Sequence, residues 1–89
     1  MHITFDSDKN LRNIADRGLN FDLVGDFNFE TAVIWMDTRK AYSKVRIAAL
    51  GLLAGRVHAL VFVETTTGIR IINFRRANKR EVKRYEKET

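Results

Sequence analysis

Residues 56–74 read RVHALVFVETTTGIRIINF, and this stretch decides the fold. Its two halves, RVHALVFV (56–63) and GIRIINF (68–74), are rich in β-branched and aromatic residues and are separated by the turn signal Thr65 to Gly68. A connection that short makes the two strands antiparallel neighbours. Moving toward the N-terminus, KVRIAAL (44–50) and AVIWM (32–36) repeat the pattern, with Ala54-Gly55 as a tight turn and Asp37 to Lys40 as the remaining link. Four strands are therefore expected. Side-chain alternation places Lys44, Arg46, Ala48 and Leu50 on one face of the second strand and Val45, Ile47 and Ala49 on the other, so Arg46 projects from the less apolar face.

Upstream of the strands the period changes. Ile3 to Phe5 is a short β-prone stretch, and Asp6 or Ser7 can cap a helix whose apolar residues Leu11, Ile14 and Ala15 fall on one stripe, ending at Gly18. Asn20 can cap a second, shorter helix in which Phe21, Val24 and Phe27 recur every three residues, with Leu23 widening the stripe and Gly25 weakening it. Downstream, Asn78 and Glu81 form a capping-box variant opening a helix through Tyr85 and somewhat beyond. The apolar face of that helix is only Val82 and Tyr85. The order β, α, α, four β, α predicts an α+β domain with its helices against one face of an antiparallel four- to five-stranded sheet. With no proline, repeat or linker, residues 1–89 read as a single domain.

Composition narrows the chemistry. The absence of Cys excludes a disulfide framework and thiolate metal sites, and His2 and His58 alone cannot close a zinc site; no metal or cofactor is expected. No apolar run approaches the roughly 18 residues of a membrane span, and MHITFDSDK lacks the pattern of a secretory signal, so a cytoplasmic location and no membrane partner are expected. The formal net charge is +5, and from residue 69 onward eight basic residues stand against three acidic ones. A basic surface so localised fits a polyanion or an acidic protein partner, or simply a solvated helix.

Arg46, Arg70, Arg75, Arg76 and Arg80 form the notable set, because guanidinium groups bind phosphate bidentately and stabilise charge in phosphoryl-transfer transition states. Arg75-Arg76 lies at a strand end just before a helix N-terminus, a second source of anion affinity. Candidates for proton transfer are fewer. Tyr85 reads as a packing contact of its helix or as an acid, Lys9 as a surface lysine or a proton donor, and His58 as an edge or exposed-face histidine rather than a base. Trp35 reads as core, or as a stacking platform for a nucleobase. No Ser/His/Asp set, Gly-rich phosphate loop or paired-carboxylate motif is present.

Several segments in this order resemble the BrnT family of bacterial type II toxin-antitoxin toxins: FDSDK (5–9), Asn13, GLNF (18–21), Arg46 followed by Leu50-Gly51, and above all IRIINFRRANKREVKRYE (69–86). The resemblance covers about residues 3–86. It implies a RelE-like fold, ribonuclease activity that inhibits translation, neutralisation by a BrnA-type antitoxin, and contact with operator DNA only through that antitoxin. On the positions that match, Arg46, Arg70 and Arg75 take phosphate-binding and transition-state roles, with Lys9 and Tyr85 as further catalytic candidates. Arg17, Arg76, Lys79 and Arg80 are the candidates for RNA binding.

The departures are local. The family's Lys-His-Gly at the end of the first helix is Asp16-Arg17-Gly18 here, its Ser-Ala in the last strand is Asn73-Phe74, and its opening Pro is Ser7. The missing His removes a side chain able to titrate near neutral pH. Two readings follow from it: an active ribonuclease toxin, and an inactive relative that only captures an antitoxin or nucleic acid.

Overall fold

In the computed structural model, which describes residues 1–89, the chain forms β1 (His2–Thr4), α1 (Ser7–Arg17), a 3-10 helix (Phe21–Asp26), β2 (Val33–Met36), β3 (Ile47–Leu53), β4 (Arg56–Glu64), β5 (Gly68–Arg76) and α2 (Lys79–Glu88). The five strands make one mixed sheet in the order β1-β5-β4-β3-β2. The hairpins are as expected: β3 and β4 join through Ala54-Gly55, with φ of 50° and 77°, the left-handed pair that matches the twist of adjacent strands. β4 and β5 join through the Thr65 turn, where Thr65 Oγ1 accepts from the Gly68 N–H at 3.0 Å.

The outer edge differs from the expected antiparallel sheet. β1 runs parallel to β5, pairing His2 with Gly68, Ile3 with Ile69 and Thr4 with Arg70. A parallel neighbour requires a crossover, and the whole body of the chain between β1 and β5 supplies it. Gly68 permits the close approach, because a Cβ there would overlap the His2 carbonyl oxygen.

Arg46 does not lie within a strand. β3 starts one residue later and runs on to Leu53, because the connection after β2 extends from Asp37 to Arg46 rather than ending at Lys40. The Asp37 N–H donates to the Arg46 carbonyl at 2.8 Å, closing that loop at its base.

The helices lie on both faces of the sheet, not on one. β3 and β4 are apolar on both sides, so each face needs cover. On the first face the 3-10 helix packs Phe21, Val24 and Phe27 against Ala49, Leu53, Leu60, Phe62, Ile69, Ile71 and Phe74. The period of three seen in the sequence is the 3-10 repeat itself. A bulge lets β5 serve this core: Val61 pairs with Asn73 but Phe62 with Ile71, so Ile71 and Phe74 point to the same side. On the second face Tyr85 of α2 closes a smaller cluster with Leu50 and Ala59, supported by Val33, Trp35, Leu52 and Val57.

Helix α1 is turned over relative to the expected orientation. Its amphipathic stripe faces out, with Leu11 63% and Ile14 37% exposed, while Asn10 and Asn13 are buried at 8% each. Hydrogen bonding explains the inversion. Asn13 Nδ2 donates to the Leu19 carbonyl at 2.9 Å and the Phe74 carbonyl at 3.0 Å, and Asn10 Oδ1 accepts from the Phe21 N–H at 2.8 Å. These bonds supply partners to buried backbone groups of the turn between α1 and the 3-10 helix and of β5. The ends of α1 are conventional: Asp6 is the N-cap, accepting from the Asp8 and Lys9 N–H groups, and Gly18 at φ 64° donates its N–H to the Ile14 carbonyl.

Candidate nucleic-acid interface

Helix α2 covers only part of the second face. Beyond it, the surface at the start of β3 and β5 is an open hollow of about 190 Å³ lined by Tyr42, Ser43, Lys44, Arg46, Val63, Thr65, Arg70 and Ile72. Arg46 reaches it from the loop before β3 and lies over the Tyr42 ring, its Cζ 4.1 Å from the ring centroid. Arg70 enters from β5. It is exposed, with no carboxylate within ion-pair distance. Lys9, in the first turn of α1, belongs to the same end of the molecule, because α1 starts just after β1, whose last residue pairs with Arg70. Burial is the main cause that pushes the Lys9 ammonium below its ordinary pKa; the charge of Arg46 adds to it, Asp6 opposes it, and Arg12 and Arg70 add smaller pushes. Three predicted catalytic residues from separate parts of the chain thus converge.

Arg75 shares this face but is already engaged. Its guanidinium makes a two-pronged contact with Glu81, 2.7 Å and 3.0 Å, which lowers the Glu81 pKa below the usual carboxylate range. Glu81 also accepts from the Asn78 N–H, so the capping box of α2 and the Arg75 pair form one unit. Tyr85 is buried beneath α2 among Leu50 and Ala59; packing accounts for its position, at the covered end of the face rather than at the hollow of Arg46 and Arg70. Lys79 and Arg80 are exposed in the first turn of α2. Trp35 is half-buried against the same cluster, and its outer ring surface is taken by Arg84, whose Cζ lies 4.0 Å from the centroid.

Arg17 and Arg76 lie elsewhere. They line a groove on the first face, at the far end of the sheet, together with Arg56 and His58. The predicted RNA-binding set is therefore divided between two surfaces.

Sequence reasoning missed Asp37, Arg39 and Tyr42. Asp37 is buried, accepts from Arg39 Nε at 2.8 Å and Nη2 at 2.9 Å, and accepts from the Tyr42 hydroxyl at 3.3 Å. Hydrogen bonds from Arg39 are the first cause that lowers its pKa to about 2. Asp37 thereby orients Tyr42, and Tyr42 supports Arg46. The only sequence signal was Asp37 as a loop residue after a strand, which does not distinguish it from other turn carboxylates. No cluster of His, Asp and Glu with metal-holding geometry is present, and no helix is long and apolar enough to cross a membrane.

The structure is a small mixed α+β domain whose half-open sheet face is lined by arginines, a surface of the charge that suits an anion. Its sequence defines the family: residues 5–81 match the family model described as ribonuclease toxin, BrnT, of type II toxin-antitoxin system, and the chain belongs to this toxin family. No curated protein matches it.

Proposed function

We propose that the chain is an endoribonuclease toxin with a RelE-like fold, inhibiting translation by cleaving RNA on the open face at Arg46, Arg70 and Lys9. Arg46 and Arg70 on one exposed hollow, with the Lys9 ammonium near enough to feel both charges, carry this reading. In RNA cleavage of this type the ribose 2′-oxygen attacks the adjacent phosphorus and the 5′-oxygen leaves. The substrate supplies its own nucleophile, and the protein's work is to stabilise charge and move protons. Arg70, free of a carboxylate partner, and Arg46, stacked over Tyr42, suit the charge on the phosphate oxygens. Lys9, with its pKa lowered by burial and neighbouring cations, suits proton transfer. An acidic segment of a BrnA-type antitoxin would neutralise the toxin by covering this cationic surface, with operator DNA contacted only through that partner, in the cytoplasm.

One observation favours a second reading, a non-catalytic capture module: the hollow holds no imidazole and no carboxylate, and Arg75 is tied to Glu81. Induction of the chain in a bacterial culture separates the two. Growth arrest that disappears in Arg46→Ala and Arg70→Ala, together with RNA cleavage by the purified chain in chelator-containing buffer, supports the toxin. Absence of arrest and of cleavage from the native chain supports the capture module.

A further inference from the structure

The groove on the first face is separate from the hollow of Arg46 and Arg70. It lies between the end of α1 and the far end of the sheet, has a volume of about 630 Å³, and is lined by Arg17, Arg56 and Arg76 over a floor that includes Leu23 and Leu53. No carboxylate lines it. At its wall stands His58, only 4% exposed, its ring tilted at 31° against Phe74 with centroids 5.4 Å apart. His58 Nδ1 lies 2.8 Å from the Arg56 carbonyl oxygen. A carbonyl oxygen only accepts, so Nδ1 carries the hydrogen, and in the neutral ring Nε2 presents a lone pair. No protein group bonds to Nε2, and it is not sealed off from solvent. A nearly buried ring whose neutral form offers Nε2 as an acceptor thus lines the same groove as three guanidinium groups that have no ion-pair partner.

We propose that this groove is a ribonucleotide-binding subsite, in which Arg17, Arg56 and Arg76 hold a phosphate and His58 Nε2 accepts a hydrogen bond from a ribose 2′-hydroxyl. The guanidinium groups alone would suit any anion, including the carboxylates of an acidic protein segment. His58 decides between them. An ionised carboxylate has no hydrogen to give Nε2 and sets its own lone pairs against it, whereas a ribose hydroxyl donates. The same hydroxyl is what distinguishes RNA from DNA at a binding site. The choice of RNA among phosphate-bearing ligands rests on the ribonuclease reading, but the site needs none of that reading's catalytic residues. RNA bound at both sites would wrap from one face of the sheet to the other.

The test is a titration of the isotope-labelled full chain, followed by its amide NMR signals, with uridine 3′-monophosphate and with its 2′-deoxy counterpart. Neither probe has a bond for a ribonuclease to cut. Shifts centred on Arg17 to Leu19, Ala54 to His58 and Arg75-Arg76 are expected, with the ribonucleotide bound about fivefold more tightly, the effect of one neutral hydrogen bond. His58→Phe, which keeps the ring contact with Phe74 and removes the acceptor, should equalise the two probes. Arg56→Ala should weaken both by the same factor. Equal binding of both probes to the native chain, or shifts confined to the region of Lys9, Arg46 and Arg70, would overturn the proposal, and that comparison needs no variant. Displacement of the nucleotide by a short glutamate-rich peptide that itself binds more tightly would also overturn it, assigning the groove to an acidic protein partner. A chain that binds the ribonucleotide in the groove but cleaves no RNA would leave this proposal standing while the catalytic reading failed.

Discussion

The two long helices are attached to the sheet by opposite means. α1 turns its polar residues inward and is fastened by asparagine amides to backbone groups of the 3-10 segment and β5, leaving Leu11 and Ile14 in solvent. α2 turns a thin apolar edge inward, chiefly Tyr85, and its ends are secured by the capping box, the Arg75 contact and the stacking of Arg84 on Trp35. The contrast shows that an amphipathic pattern locates a helix but does not fix which side is buried. Where a neighbouring turn leaves backbone groups without partners, satisfying them outweighs the burial of two aliphatic side chains.

The largest test of this contrast is Asn13→Ala. It leaves the Leu19 and Phe74 carbonyls without donors in a buried position, and a loss of about 2–4 kcal/mol is expected in urea denaturation. A loss near zero would mean that α1 is held by something other than its asparagines. On the other face, Tyr85→Ala should cost about 2 kcal/mol, below the usual range for truncating a core aromatic, because its cluster is small and lies near the surface.

Glu81→Gln should cost about 1 kcal/mol, since Gln can keep part of the capping box while the charged pair with Arg75 is lost. Its pH dependence has a definite sign. Glu81 has a lowered pKa, so its contribution is present above the ordinary carboxylate range and is lost as pH falls; the native chain and the variant should converge in acid. Asp37, with its pKa near 2, behaves likewise, and Asp37→Asn should close its stability gap to the native chain as pH falls from about 4 toward 2. The smallest effect expected is that of Leu11→Ser, within about 0.5 kcal/mol, because the exposed leucine makes no core contact. A large loss there would mean that the outward stripe of α1 is covered in solution.

The hairpins were legible because strand alternation and turn residues are local properties, and β3 to β5 carry both. β1 was visible as a short β-prone stretch, but its parallel pairing was not, since nothing in Ile3 to Phe5 indicates the direction of a partner so distant in sequence. The bulge at Ile72 was hidden for a similar reason: IRIINF alternates well enough on its own, and only the pairing with β4 shows the extra residue. Of the candidate site, Arg46 and Arg70 stand out as arginines in apolar strands and Lys9 as a possible proton donor, with the family resemblance adding their roles, but their convergence could not be read from spacing. An edge or exposed-face position is what the sequence suggests for His58, yet β4 is central and the residue is buried; the groove it lines draws Arg17, Arg56 and Arg76 from three different elements.

The parallel pairing of residues 2–4 with 68–70 has a kinetic consequence. During synthesis the N-terminal strand emerges first but has no partner until β5 has left the ribosome, so the edge that positions Lys9 beside Arg70 closes only late in folding. The β3-β4-β5 meander can form without it, and Lys9 joins the cationic surface afterwards. In amide exchange the β1 edge should accordingly open before the hairpins do, giving the molecule a state that is folded in its centre and unassembled at its candidate active surface.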